Sequence, residues 1–373
     1  MLLYRSAVWF AKGLREYTKS GYESASKDFI PDDLEVQVPG RAFMVTGGNS
    51  GIGKATAFEI AKRDGFVEFH QVAQFTWFVE IKTERKVPEV RSSGRAGTSS
   101  HVSHLVPGFD QRRVLEEDWE EGGGRNGETG YLASVATAEC PLRFLLLNIF
   151  LHIVDLSDPK TVWKFVENFK QEHTLNVLIN NAGCMVNKRE LTEDGLEKNF
   201  ATNTLGVYVL TTALIPVLEK EHDPRVVTVS SGGMLVQKLS TDDLQSERTA
   251  FDGTMVYAQN KRQQVVLTER WARAHPAIHF SCMHPGWVDT PGVRLSMPGF
   301  HARLGARLRS EAQGADTVLW LALAPTAAAQ PSGRFFQDRK PVPTHLPLAR
   351  TSSSPAEEEK LIEILEELAQ RFK

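Results

Sequence analysis

From Arg41 onward the chain alternates short apolar runs with stretches of helical period. "RAFMVT" reads as a buried strand, followed by a glycine-rich turn and a helix with Ala55, Phe58, Ile60 and Ala61 to bury. "IFLHIVDLSDPKTVWKFVENFKQEH" repeats the scheme with a strand, Asp155, and a helix capped by Ser157 or Asp158 with Pro159 at its first position. Further strands are expected in "LNVLINNAG", "RVVTVSSGG" and "AIHFSCMHPGWVDT". Helices are expected over "VYVLTTALIPVLEKE" and over "MVYAQNKRQQVVLTERW", where Val265, Val266, Leu267 and Trp271 would be covered. Strands alternating with helices predict an α/β fold built on a doubly wound parallel sheet. The closing "SSSPAEEEKLIEILEELAQRFK" is an amphipathic helix with Leu361, Ile364, Leu365 and Leu368 on one face.

Two segments depart from this pattern. The first, residues 1–38, opens with "MLLYRSAVWFAKGLREYTK", apolar for about three turns but interrupted by Arg5 and Lys12. It falls short of the roughly 20 apolar residues of a membrane span and has no small-residue cleavage signature. Leu3, Ala7, Phe10, Leu14 and Tyr17 can share one helix face. Such a helix either packs on its own domain or makes peripheral membrane contact. The second segment, 66–147, is an irregular insert between the first helix and the Asp155 strand. Its "VRSSGRAGTSSHVSHLVPGFDQ" and "EEDWEEGGGRNGETG" follow neither period and have the composition of loop or disorder. Within it only "FVEFHQV" and "FTWFVEIKTERK" could supply a strand. His101 and His104 are spaced i,i+3 but have no second ligand pair nearby, so no metal site is expected. The expected organisation is a helical extension over 1–38, one α/β domain over 39–345 carrying the insert, and a C-terminal helix over 346–373.

Composition changes the picture only by exclusion. Lys and Arg number 43 against 46 Asp and Glu, a net charge of −3, and no basic block suggests a nucleic acid partner. Cys140, Cys184 and Cys282 are few, odd in number and without metal-ligand spacing. They fit a reduced intracellular compartment, cytoplasmic or peripheral to a membrane.

"TGGNSGIG" places Gly47, Gly51 and Gly53, with Ser50 and Ile52 between them, at a junction of strand and helix. Glycine permits the tight turn and lets backbone approach a pyrophosphate at a positive helix N-terminus. The spacing is neither that of the commoner dinucleotide fingerprint nor that of the phosphate-binding loop with a terminal lysine, and a structural turn is the alternative. Tyr257 stands four residues before Lys261, so on a helix the two project from one face. Alone, that spacing suits an accidental pair as well as a catalytic one. "NNAG" from Asn180, Asn203 in "NTLG", Ser231 in "VTVSS", the Tyr257–Lys261 pair and "HPGWVDT" from His284 then follow in order. Each lies at the carboxyl end of an expected strand or on the next helix. In this order the motifs resemble the short-chain dehydrogenase/reductase family, in its retinol-dehydrogenase-like branch. Outside the insert the resemblance runs from about Arg41 to the "SGRFFQD" near residue 335.

The resemblance implies a Rossmann-type oxidoreductase that transfers a hydride between a nicotinamide cofactor and a small carbonyl or alcohol substrate. Tyr257 would be the general acid/base, Lys261 would favour its phenolate and bind the nicotinamide ribose, Ser231 would hold the substrate oxygen, and Asn203 would carry a relay water. A free phenol has a pKa of roughly 10, so the pair would have to lower it. The cofactor would lie along Gly47, Ser50, Gly51, Ile52 and Gly53, with Asp155 and Leu156 at the adenine, Asn181 and Gly183 along the adenosine, and Pro285, Gly286 and Thr290 at the carboxamide or phosphates. Singly, Asp155 could be a helix cap and Pro285–Gly286 an ordinary turn. NADP is favoured over NAD, with Arg85 or Lys86 reading the 2′-phosphate if "FTWFVEIKTERK" takes the second strand. A homo-oligomer is compatible with this reading. Asp155 lies 102 positions after Gly53, where two βαβ units need about 55–60. The competing reading is therefore a catalytically silent or unstable variant with an incomplete cofactor-binding half, at most a binding protein.

Overall fold

The computed structural model describes residues 1–63, 66–71, 77–81 and 149–373, with backbone alone over 66–71, 77–81 and 149–151. One structural unit comprises Met1–Glu84 and Leu145–Lys373; the other, Arg85–Phe144, lies outside the described residues. So do His101, His104, Cys140, Arg85 and Lys86.

The strands are β1 (Ala42–Thr46), β2 (Phe66–Gln71), β3 (Trp77–Ile81), β4 (Ile149–His152), β5 (Val177–Asn180), β6 (Arg225–Val229), β7 (His279–Met283), β8 (Arg334–Gln337) and β9 (Lys340–Pro341). β1, β5, β6, β7 and β8 pair in that order, all parallel. They are apolar at nearly every position because both faces are covered. Alternate residues of β1 separate the two halves of the core. Met44 joins Leu178, Val226 and Phe280 on one face, while Phe43 and Val45 join Val177, Ile179, Val227 and Val229 on the other. The doubly wound parallel sheet expected from the sequence is present.

On the far side of β1 the two candidate runs of the insert both become strands. β2 runs parallel to β1 through Ala42↔Phe66 and to β4 through Phe69↔Leu151. β3 runs antiparallel to β1 at Thr46↔Phe78 and to β4 over four residue pairs. The place between β1 and the Asp155 strand is thus filled by a mixed pair instead of one parallel strand.

The first face carries α4 (Pro159–Glu172), α5 (Lys198–Leu218) and α6 (Gly253–Ala274); the second carries α3 (Gly51–Ala61) and α9 (Glu311–Leu323). Asp158, not Ser157, caps α4 by accepting from Lys160 and Thr161 N–H. α3 buries Thr56, Ala57, Ile60 and Ala61 and leaves Ala55 and Phe58 half-buried, because its packing partner is α9. Among the described residues one helix, Lys198–Leu218, is long and apolar enough to cross a membrane, yet 89% of its apolar window is buried in this core. The C-terminal helix α10 (Pro355–Arg371) opens with a Ser354–Glu357 capping box and seals the first face with Leu361 and Leu365.

The N-terminal extension packs on the domain through the C-terminal part of the expected face, where Phe10, Leu14 and Tyr17 meet the Trp287 cluster, and through Trp9 and Gly13 beside it. α1 (Leu2–Glu16) turns Gly13 inward, and a Cβ there would lie 2.3 Å from Trp287 Cζ2. Trp9 and Tyr17, one turn to either side of Gly13, meet Trp287 edge-on, each at 5.7 Å. Of the expected face only Tyr17 is buried; Leu14 is half-buried, and Leu3, Ala7 and Phe10 are exposed. Arg309, 1% exposed, fixes the segment by donating to the carbonyls of Glu16 and Thr18, to Pro285 O and to both oxygens of Asp338.

Replacing Arg309 with alanine leaves the Asp338 carboxylate and three buried carbonyls without their cation. The variant should lose about 3–5 kcal/mol of stability in urea unfolding. A loss below about 1 kcal/mol would show that the extension holds without it.

Candidate active site

Thr46 ends β1, and its hydroxyl oxygen accepts from the N–H groups of Asn181 and Ala182, both at 2.9 Å. The Asn181 amide donates back to Thr46 O at 2.9 Å and Gly47 O at 3.3 Å, which stitches the end of β5 to the glycine turn. Gly47 (φ +69°) and Gly51 (φ +58°) adopt left-handed backbone, and a Cβ on Gly53 would stand 2.1 Å from Gly47 O. Thr290 lies over the turn, with its Cγ2 3.2 Å from where a Gly51 Cβ would be. Ser50 is the N-cap of α3, and its side chain makes no capping bond. Ile52 faces the second core cluster. Helix-start N–H groups with no Cβ in the way fit an anionic pyrophosphate.

Asp252 caps α6 by accepting from Thr254 and Met255 N–H. Further along α6, the Lys261 ammonium lies 5.3 Å from the Tyr257 ring centroid. It donates to Val229 O at 2.9 Å and to Gln264 Oε1 at 3.1 Å. Burial lowers Lys261 to about 8. The Gln264 amide in turn donates to Asn203 O at 2.7 Å. Asn203 sits in a π-helical stretch, Ala201–Gly206, a widened turn of a kind frequent at functional sites. Its side chain closes on the backbone beyond Gly183: Oδ1 accepts from Cys184 N at 2.9 Å, and Nδ2 donates to Cys184 O at 2.8 Å. A Cβ on Gly183 would be 3.1 Å from Asn203 Oδ1 and 3.5 Å from Lys261 Nζ. Gly183, Asn203, Tyr257 and Lys261 therefore come together.

The two serines of the doublet differ. Ser230 is buried and donates to Lys261 O at 2.9 Å. Ser231 is half-buried, and its hydroxyl oxygen accepts from Gly233 N at 3.1 Å, which leaves the hydroxyl hydrogen to donate. The Tyr257 phenol departs from expectation. Burial pushes it upward, with Cys184 adding to the effect, so in the protein alone it is a protonated acid. Cys184 itself is pushed up to about 11 by burial.

At the end of β7, Gly286 (φ +85°) passes so close to Arg309 that a Cβ would lie 2.3 Å from its Nε, and Pro285 O accepts from Arg309 at 3.2 Å. Thr290 also caps α7 (Pro291–Ser296) by accepting from Val293 N. Asp155 is half-buried, and its Oδ1 accepts from Ser157 N at 2.8 Å and Ser157 Oγ at 2.7 Å, which fixes the turn into α4. The Leu156 side chain lies in the core, so only its backbone is at the strand end, where its carbonyl would be 2.2 Å from a Cβ on Gly206.

Sequence reasoning passed over Gln264, Arg309 and Tyr17. Gln264 had a signal, one turn from Lys261 on the same helix face. Tyr17 had none, since 240 residues separate it from Tyr257. It stands edge-on to His284 at 4.3 Å. The His284 ring is buried with no hydrogen-bond partner on either nitrogen among the described residues, and burial holds it well below the usual histidine range.

The chain, a parallel α/β sheet with a glycine turn at one strand end and a Tyr–Lys pair on a neighbouring helix, belongs to the short-chain dehydrogenase/reductase family. The family model described as short chain dehydrogenase matches residues 146–297. The chain is 76% identical over 373 residues to dehydrogenase/reductase SDR family member 12 of Bos taurus and 70% identical over 374 to that of Homo sapiens, with both chains covered in full in each case. Retinol dehydrogenase 12 of Mus musculus is 27% identical over 310 residues, covering 82% of this chain and 80% of its own. In fold the chain resembles a 3-oxoacyl (acyl-carrier-protein) reductase from Agrobacterium tumefaciens, with a TM-score of 0.50 and 17% identity over 83% of this chain and 96% of that one. Membership implies an NAD(P)-dependent oxidoreductase acting on small-molecule carbonyl or alcohol substrates.

Lys261 is lowered from 10.5 to about 8, so between those values the folded protein binds fewer protons than the unfolded chain. Its desolvation cost is fully present below about 8 and is relieved as pH rises toward 10.5. The stability of wild type minus that of Lys261→Met should therefore rise across this window, by on the order of 3 kcal/mol in urea unfolding. A flat difference would mean that the ammonium is solvated.

Proposed function

We propose that the protein reduces a carbonyl compound, or oxidises the matching alcohol, with Tyr257 as general acid/base. The observation that carries this reading is the Lys261 ammonium, buried, held by Val229 O and Gln264, and poised over the Tyr257 ring. The nicotinamide ring, when bound, supplies or accepts the hydride. Ser231 donates its hydroxyl hydrogen to the substrate oxygen and polarises the carbonyl. Tyr257, kept protonated because its surroundings disfavour the phenolate, gives its proton to that oxygen as negative charge develops. Lys261 stabilises the phenolate left behind and thereby supports the reverse, oxidising direction. Asn203 positions the Gly183–Cys184 backbone and, through Gln264, the lysine.

Gly47, Ser50, Gly51, Ile52 and Gly53 would hold the cofactor phosphates, Asp155 the adenine, with Leu156 contributing only backbone, and Asn181, Gly183, Pro285, Gly286 and Thr290 the remainder. Arg309 braces the Pro285 carbonyl at that turn. NADP as the preferred carrier rests on the likeness to the retinol dehydrogenase branch. The competing reading, a silent variant with a broken cofactor half, is opposed by the two strands that fill the place beside β1.

Titration of Trp fluorescence with NADPH and NADH tests cofactor binding first, and NADPH should bind tighter. Absence of binding to either would sink the reading. Against a panel of aldehydes and ketones, Tyr257→Phe should lose turnover while keeping NADPH affinity within a few-fold, because only the transferable proton is removed. Retention of more than about a tenth of the activity would remove Tyr257 from this role. Lys261→Ala should weaken both binding and turnover.

A further inference from the structure

α1 leaves an apolar stripe outside the protein. Leu3 is 85% exposed, Phe10 is 43% exposed, and Ala7 between them is exposed as well. Met1 and Leu2 extend the stripe at one end. At the other, it continues into a cleft of about 340 Å³ between α1 and α8 (Pro298–Leu304), lined by Phe10, Gly299, Phe300, Arg303 and Leu304. Leu295, on α7, is 69% exposed. Leu3, Ala7 and the outer edge of Phe10, whose ring also meets Trp287 at 5.9 Å, form with Leu295 a surface that favours an apolar partner.

Charge decides what kind of partner. Residues 1–19 and 291–309 hold eight Lys and Arg and one acid, Glu16, although the whole chain carries −3. Glu16 pairs with Lys12 and Arg15, Asp289 with Arg294, and Asp338 with Arg309. Leaving out the buried Arg309–Asp338 pair, seven cations meet two acids, and Arg15, Lys19, Arg303 and Arg307 are exposed. A second copy docked on the same face would bring two positive surfaces together. A bilayer carrying anionic headgroups accepts the leucines and phenylalanine between its lipids and the cations at its surface.

We propose that the outer face of α1, together with α7 and α8, docks on the surface of an anionic lipid bilayer. The helix lies in the plane of the interface: its inner edge stays on Trp287, and the stripe from Leu3 to Phe10 enters the lipid. The contact is peripheral, because α1 is too short to span.

Flotation of the full chain with phosphatidylcholine vesicles, with and without phosphatidylserine, tests this. The protein should float with the phosphatidylserine vesicles, and Leu3→Glu/Phe10→Glu should cut partitioning about tenfold or more. Arg303→Glu/Arg307→Glu, or raised salt, should abolish the preference for phosphatidylserine. Leu3, Arg303 and Arg307 are exposed, so Leu3→Glu alone, which should also weaken partitioning, and the arginine variant should keep the wild-type urea midpoint and NADPH affinity, whereas Phe10→Glu also removes the ring contact with Trp287. Failure of the wild type to float with phosphatidylserine vesicles overturns the proposal, as does unchanged flotation of the Leu3/Phe10 variant. Loss of a dimer in that variant, with no flotation of either protein, overturns it in favour of a second copy.

Discussion

Burying the guanidinium of Arg309 forces three distant parts of the chain to meet. All five of its N–H donors find acceptors inside the protein, in Thr18, Glu16, Pro285 and the two oxygens of Asp338. A buried cation tolerates no missing acceptor, so the extension, the turn after β7 and the turn after β8 are fixed relative to one another. Gly286 is a glycine because any Cβ would occupy the guanidinium's place. The extension is thereby part of the structure around the Pro285–Gly286 turn, and Tyr17 reaches His284 and Trp287 from there.

A second buried cation organises the other half of the site. Lys261 is held by the last carbonyl of β6 and by Gln264, and Gln264 in turn holds the π-helical turn that carries Asn203. Burial acts on both members of the Tyr–Lys pair, but in opposite senses: it lowers the ammonium and raises the phenol. The protein alone is thus set with a protonated phenol, the form that donates a proton to a carbonyl. The expectation that the lysine by itself would depress the phenol weighed charge against charge and left out the desolvation of the phenolate.

The insert tests how far a doubly wound sheet tolerates disturbance. A regular parallel strand is expected between β1 and β4, and a mixed pair, β2 and β3, pairs with both neighbours there. Backbone groups at the sheet's broken side find partners, although the pattern that usually supplies them is missing from the sequence. On the other side of β1 the parallel order continues undisturbed to β8, and the glycine turn, Gly183 and Lys261 all belong to that half or to its edge.

β1, β4 to β7 and the helices α3 to α6 were legible because each is written in local spacing, while the candidate site residues were named only through the order of motifs that resembles the family. Continuous apolar runs mean burial on both faces, an i,i+4 pair shares a helix face, and a glycine cluster after a strand marks a turn that Cβ atoms would block. Which serine of the doublet is free to donate, which edge of α1 is covered, and that Leu156 turns into the core were decided only in three dimensions. Arg309 reads in the sequence as one more arginine in a basic stretch. Its role depends on carbonyls from residue 16 and a carboxylate at residue 338, and no local pattern encodes a partner that far along the chain. Periodicity records which face of an element is apolar; only packing determines what that face meets, because burial energy depends on area removed from water and not on sequence separation.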